Sequence, residues 1–215
     1  MLDDGARSWE ESLQLANAFH AWGYEKLIVT PHIHPDFYPN TPVDIHTRLA
    51  EWAQLLHDHA IPLRVEAAAE YFLNEQISES LEQNVPLLTF GKRYLLFEIS
   101  HLQEPLSLKD FIFKASTLGY QLVLAHPERY EFLSAEKLDD LRHRGVLLQV
   151  NTMSLAGYYG KFAQKRAEYL IDRGYVSWLG TDCHHVEHLP VIQKARASKH
   201  YRKALSLPLL NHSLL

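Results

Sequence analysis

Val176-Ser177-Trp178-Leu179-Gly180-Thr181-Asp182-Cys183-His184-His185 is an apolar run that breaks at Gly-Thr, then presents a carboxylate and an imidazole two residues apart. Residues 176–179 read as a buried strand. Residues i and i+2 of an extended chain project to one side. Asp182 and His184 are therefore expected to point together at one ion just past the strand.

The same event recurs along the chain. Strand-like runs at 26–30, 62–69, 94–97, 121–125 and 146–150 are followed by His32, Glu70, Glu98, His126 and Asn151. Helical patterns separate them. Residues 8–22 carry a capping box at Ser8 and Glu11 and stop at Gly23. Asp44 is expected to cap a second helix with Ile45, Leu49, Trp52 and Leu56 inward. Further helices are expected near 76–83, 108–118, 135–143, 162–172, 191–198 and 201–205. Alternating apolar strands and helices predict a parallel sheet with helices outside. Parallel strands share one C-terminal face, and in a barrel that face gathers side chains at one point. An open doubly wound sheet would spread them along a line. The expectation is an α/β barrel in one domain, residues 1–215.

Composition narrows the class. A net charge of −5 with no Lys/Arg run argues against nucleic acid or an anionic membrane as partner. No apolar stretch approaches a membrane span, and the acidic start Met1-Leu2-Asp3-Asp4-Gly5 lacks the apolar region of a secretory signal. Cys183 is the only cysteine, which excludes an intrachain disulfide and suits a cytoplasmic location. Self-association as a homo-oligomer stays open.

Three imidazoles, two glutamates and an aspartate, with no thiolate, suit Mn, Fe or Zn. So many carboxylates around one ion leave excess negative charge, so more than one ion is expected. Paired ions are the usual apparatus of phosphoester hydrolysis. Arg129, three residues after His126, could hold a phosphate through parallel hydrogen bonds. Singly, each residue has a plainer reading: His32 a loop residue, Glu70 a surface residue, His126 with Arg129 an ion-pair knot, Asn151 a turn. Recurrence at successive strand ends favours the metal site. Cys183 is no phosphatase nucleophile, because Leu189 stands where Cys-x5-Arg needs arginine. Gly157-Tyr158-Tyr159-Gly160-Lys161 reads as an ordinary loop.

Thr30-Pro31-His32, Ala69-Glu70-Tyr71, Leu96-Phe97-Glu98, Ala125-His126-Pro127-Glu128-Arg129-Tyr130, Gln149-Val150-Asn151 and Gly180-Thr181-Asp182-Cys183-His184 resemble the polymerase and histidinol phosphatase (PHP) superfamily. Within it they are similar to the bacterial manganese-dependent tyrosine phosphatases of capsule and exopolysaccharide loci. The resemblance implies a distorted (β/α)7 TIM-like barrel holding two or three metals, Mn²⁺ before Fe or Zn. It implies His32, Glu70, Glu98, His126, Asp182 and His184 as ligands, Arg129 as the phosphate holder, and Asp4 as an aid to the leaving group or to order in the site. It also implies a substrate: phosphotyrosine on the tail of a tyrosine autokinase controlling exopolysaccharide synthesis. The family opens with a His-x-His strand just before Asp-Asp-Gly-Ala, whereas only Met1-Leu2 precede Asp3 here. The expectation is a chain that starts inside a longer reading frame, lacks that first strand, binds fewer metals and turns over poorly. An arginine expected near 187–189 is also missing, and His185 or His188 is the substitute contact. The alternatives are a small-molecule phosphatase, histidinol-phosphate-like, and an impaired barrel that acts as a binding protein.

Overall fold

The computed structural model describes residues 2–214; Met1, where the expected departure from the family begins, lies outside them. Its scaffold is parallel strands laid side by side. β1 (Lys26–Val29) and β2 (His32–Ile33) are halves of one stave, broken at Pro31, which has no N–H for a ladder. β3 (Arg64–Ala67) and β4 (Glu70–Phe72) are halves of the next. β1 pairs with β3 and β2 with β4, where His32 stands opposite Glu70. Hydrogen bonds from Ala68 N–H to Val29 O (2.9 Å) and from Glu70 N–H to Pro31 O (3.1 Å) stitch the halves together. β5 (Tyr94–Glu98), β6 (Gln121–Ala125), β7 (Leu147–Asn151) and β8 (Trp178–Gly180) complete a parallel sheet in the order β2-β4-β5-β6-β7-β8. Each expected strand is present. The one expected over 62–69 is split, and Glu70 opens β4 instead of following a strand.

The barrel is incomplete, as expected of one that lacks the first strand. Among the described residues no strand joins β8 to β2, so the sheet is a curled half-barrel. The tail, expected to be uninformative, covers the free edge of β8. Asn211 accepts from Leu179 N–H and donates to Leu179 O, both at 3.0 Å, as a neighbouring strand would. Leu210 N–H donates to Ser177 O at 2.9 Å. Across the seam, Lys26 Nζ donates to Leu214 O at 2.7 Å.

Alternation along the strands separates two faces. Leu95, Phe97, Leu122, Leu124, Leu148 and Val150 pack outward in the main core. That core takes in residues of α3 (Glu75–Glu82), α4 (Leu108–Thr117), α5 (Ala135–His143) and α6 (Gly160–Asp172). Tyr94, Leu96, Ala68, Val123, Ala125 and Trp178 form a second cluster on the inner face. Continuing that inner face, Leu96 leads to Glu98 and Ala68 leads to Glu70. Carboxylates thus stand above an apolar floor.

Two caps differ from expectation. In α1 (Trp9–Ala21), Ser8 accepts from Glu11 N–H, but Glu11 reaches back to Arg7 N–H (2.7 Å) and across to Val186 N–H (3.2 Å). In α2 (Pro42–Asp58), Thr41 is the N-cap and Asp44 closes the capping box from the third position. The chain ends with α7 (Leu189–Arg196), α8 (Lys199–Leu205) and a 3-10 turn, Leu210–Leu214.

Candidate metal centre

The strand ends deliver their side chains to one place. His126 Nε2 lies 3.0 Å from Glu70 Oε1 and 3.7 Å from Glu98 Oε2. His32 Nδ1 lies 3.2 Å from Glu98 Oε1, and its Nε2 lies 3.7 Å from Asp4 Oδ1. His184 Nε2 lies 3.5 Å from the same Asp4 oxygen. Two sets of potential ligands result, Asp4/His32/His184 and His32/Glu70/Glu98, each with donor atoms within 4.8 Å of one another. Asp182 adjoins the first: its Oδ1 lies 3.6 Å from His184 Nδ1, and its Oδ2 lies 3.7 Å from Arg129 Nη1.

Asp182 and His184 do meet, though not by extended alternation. Asp182 sits in the left-handed region at φ +52°. His184 folds back so that its Nδ1 lies 2.9 Å from the Asp182 carbonyl oxygen. His126 is also left-handed, at φ +36°. Such backbones cost energy in non-glycine residues and cluster at functional sites.

Electrostatics show what the cluster lacks. Burial opposes a charge on His32, yet Glu98, Glu70 and Asp3 outweigh it and push its pKa up to about 10. His126 is likewise raised against its burial, by its contact with Glu70. Burial would raise the carboxyls of Glu98 and Asp182. The neighbouring histidines win, and both are held below the usual range. Four carboxylates therefore draw protons onto imidazoles for want of other positive charge. Divalent ions fit that demand, with oxygen and nitrogen donors already gathered. His32 can offer Nε2 to one ion while Nδ1 faces Glu98, the usual carboxylate–histidine support.

Other candidates fall at the margin. Arg129, about a third exposed, lies over the Tyr159 ring with Cζ 4.5 Å from its centroid. His185 turns toward α1, with Nδ1 3.6 Å from Glu11 Oε1. His188 cannot readily supply the missing cation. Its Nδ1 accepts from His184 N–H, its Nε2 pairs with Tyr158 OH at 3.0 Å, and burial lowers its pKa. Asn151 supports Asp182: its Nδ2 donates to Asp182 Oδ2 at 2.6 Å.

Sequence reasoning missed three neighbours. Glu128, fully buried, accepts from Asn151 N–H (2.9 Å) and Ser154 Oγ (2.7 Å), and so ties the Arg129 turn to β7. His101 stacks on His126 with ring centroids 5.6 Å apart. Tyr159, dismissed with its loop, donates its hydroxyl to Asp182 Oδ2 at 2.7 Å. Its glycine-flanked setting was the only signal.

Comparison with known proteins agrees with this geometry. Residues 1–207 match the family described as capsular polysaccharide synthesis, CpsB/CapC. The tyrosine-protein phosphatase YwqE of Bacillus subtilis is 26% identical over 188 residues, covering 86% of this chain and 74% of that protein. The tyrosine-protein phosphatase CpsB of Streptococcus pneumoniae is 26% identical over 197 residues, covering 88% and 81%. A crystal structure from a study of YwqE and CpsB, described as unique metal-dependent tyrosine phosphatases, superposes with a TM-score of 0.81. It shares 25% identity and covers 96% of this chain and 90% of that one.

Proposed function

Because this chain belongs to the CpsB/CapC capsular polysaccharide synthesis family, we propose that it is a metal-dependent protein-tyrosine phosphatase. The observation that carries the reading is the meeting of both ligand sets beside Arg129 at the strand ends.

Glu70 and Glu98, with His126 beside them, would hold one ion, and Asp4 and His184 another, with His32 common to both sets and Asp182 beside His184. Bound there, divalent ions supply an activated water near neutral pH and neutralise charge on phosphoryl oxygens. Mn²⁺ is the metal proposed. Asp4 then serves as a ligand, since its oxygen faces two imidazoles. Arg129 holds the substrate phosphate and is itself oriented by Tyr159 and Asp182. The substrate would be phosphotyrosine on the tail of a tyrosine autokinase in the cytoplasm. No helix among the described residues is long and apolar enough to cross a membrane.

The test is hydrolysis of p-nitrophenyl phosphate and of phosphotyrosine and phosphoserine peptides by chelator-treated protein, before and after Mn²⁺ addition. Turnover that requires Mn²⁺ and prefers the phosphotyrosine peptide is expected. Mn²⁺ binding without turnover of any of the three would leave a binding protein instead.

A further inference from the structure

We infer that Tyr159 is a positioning residue: its hydroxyl fixes which oxygen of Asp182 faces the metal, and its ring seats Arg129. The inference rests on the metal-dependent phosphatase reading of the site.

A carboxylate free to rotate can present either oxygen, or both. Here the two oxygens of Asp182 are distinguished. Oδ2 accepts from Asn151 Nδ2 at 2.6 Å and from Tyr159 OH at 2.7 Å. Oδ1 is the oxygen nearer His184, 3.6 Å from its Nδ1. Two short bonds to one oxygen set the side-chain torsion and leave the other for an ion. They also brace a residue whose left-handed backbone is costly for aspartate.

The same ring lies under the Arg129 guanidinium, at 4.5 Å from Cζ to the centroid. Stacking of this kind engages the face of the guanidinium and leaves its edge, where Nη1 lies 3.7 Å from Asp182 Oδ2, able to hydrogen-bond a phosphate. One side chain thus couples the metal side of the site to the anion side. The loop is built to present it. Gly157 (φ +80°) and Gly160 (φ +91°) flank the pair in conformations that glycine adopts at little cost. Tyr158 packs edge-on against Tyr159 at 5.0 Å, and its hydroxyl meets His188, which in turn holds His184 N–H.

Two substitutions separate the roles. Tyr159→Phe removes one oxygen and keeps the ring; Tyr159→Leu removes both. Calorimetry on chelator-treated protein reads Mn²⁺ binding without turnover, and titration of the Mn²⁺-loaded protein with inorganic phosphate reads the anion side. For Y159F we expect Mn²⁺ binding weakened about tenfold, with phosphate binding and the melting temperature of the metal-free protein nearly unchanged. For Y159L we expect phosphate binding weakened as well, with KM raised about fivefold. Y159F that binds Mn²⁺ as tightly as wild type overturns the inference. So does Y159F that loses Mn²⁺ binding, phosphate binding and melting temperature together, since that marks a merely structural role. Mn²⁺ binding by wild type with no phosphoester turnover overturns the phosphatase reading and leaves the Mn²⁺ comparison readable.

Discussion

The two ligand sets of the site are held in different ways. Glu70 and Glu98 lie on β4 and β5, and His126 follows β6 directly. Glu70 and His126 are almost wholly buried, at 5% and 3% exposure. In the other set only His32 lies on a strand, and Asp4 and His184 are borne by looser chain. Asp4 comes from the segment before α1 with half its side chain exposed, and His184 comes from the loop after β8. Asp4 is kept near the site through its neighbour: Asp3 Oδ2 accepts from His32 N–H at 2.9 Å. Sheet hydrogen bonds preorganise the first set, whereas the second depends on a few side-chain contacts and its geometry can relax. The strand set should therefore dominate catalysis, and the loop set should tune it.

The largest effect expected is on the strand set. Glu70→Gln keeps the size of the side chain and a partner for His126 but removes a negative ligand. It should lower kcat/KM by about 10³-fold, roughly 4 kcal/mol of barrier. The metal-free protein should melt below wild type, because His126 and His32 lose the carboxylate that stabilises their charge. Activity retained within tenfold would break the contrast between the two sets.

Asp4→Asn is the matching change in the loop set. Its cost should be smaller, about 10- to 100-fold in the Mn²⁺ concentration required, as for loss of a contributing ligand partner. Saturating Mn²⁺ should recover much of the rate. A loss as deep as that of Glu70→Gln, unrelieved by added metal, would make the sets equivalent.

The pH dependence sharpens the same comparison. His32 holds its proton up to a pKa of about 10, against an ordinary value near 6.5. In metal-free protein that proton stabilises the fold: the contribution is complete below pH ~6.5 and is lost as pH rises toward ~10. Metal binding runs the other way, because an ion must displace the proton. Mn²⁺ affinity at the His32 set should rise about tenfold per pH unit between pH 6 and 8. Calorimetry across that range, beside melting curves of metal-free protein, should show opposite slopes. Affinity flat with pH would remove His32 from the ligands.

Much of this was legible in sequence, for a stated reason. Apolar runs that end in Glu98 or His126 are conspicuous because a buried charge needs a partner. The fold followed from the alternation of runs and helices. The split stave at Pro31 and the way the tail covers the seam were harder to read, since both depend on pairing between distant segments. Asn211 shows why. Its amide substitutes for a strand at the edge of β8, a role with no local pattern. Tyr159 was passed over because an aromatic between two glycines resembles any loop until Asp182 is placed beside it. The extended-chain argument for Asp182 and His184 reached the right pair by the wrong geometry, since left-handed backbone at an aspartate leaves no trace in composition.

The smallest effect expected falls on a residue seated between two ligands. Cys183 invites suspicion as a nucleophile by position alone, between Asp182 and His184. Burial, with Asp182 and Glu11 nearby, pushes its thiol pKa up to about 12. At pH 8 only about one molecule in 10⁴ would carry the thiolate, the reactive form. Its Sγ is turned toward the His185 carbonyl oxygen at 3.7 Å, and it packs with Leu15, Phe19 and Met153. Cys183→Ser should change kcat/KM less than twofold at saturating Mn²⁺, and iodoacetamide should label the native thiol far more slowly than a free one. A hundredfold loss in the serine variant, with Mn²⁺ affinity intact, would move the chemistry from the carboxylate–imidazole centre to sulfur. The contrast between the ligand sets would then describe only how the protein binds metal.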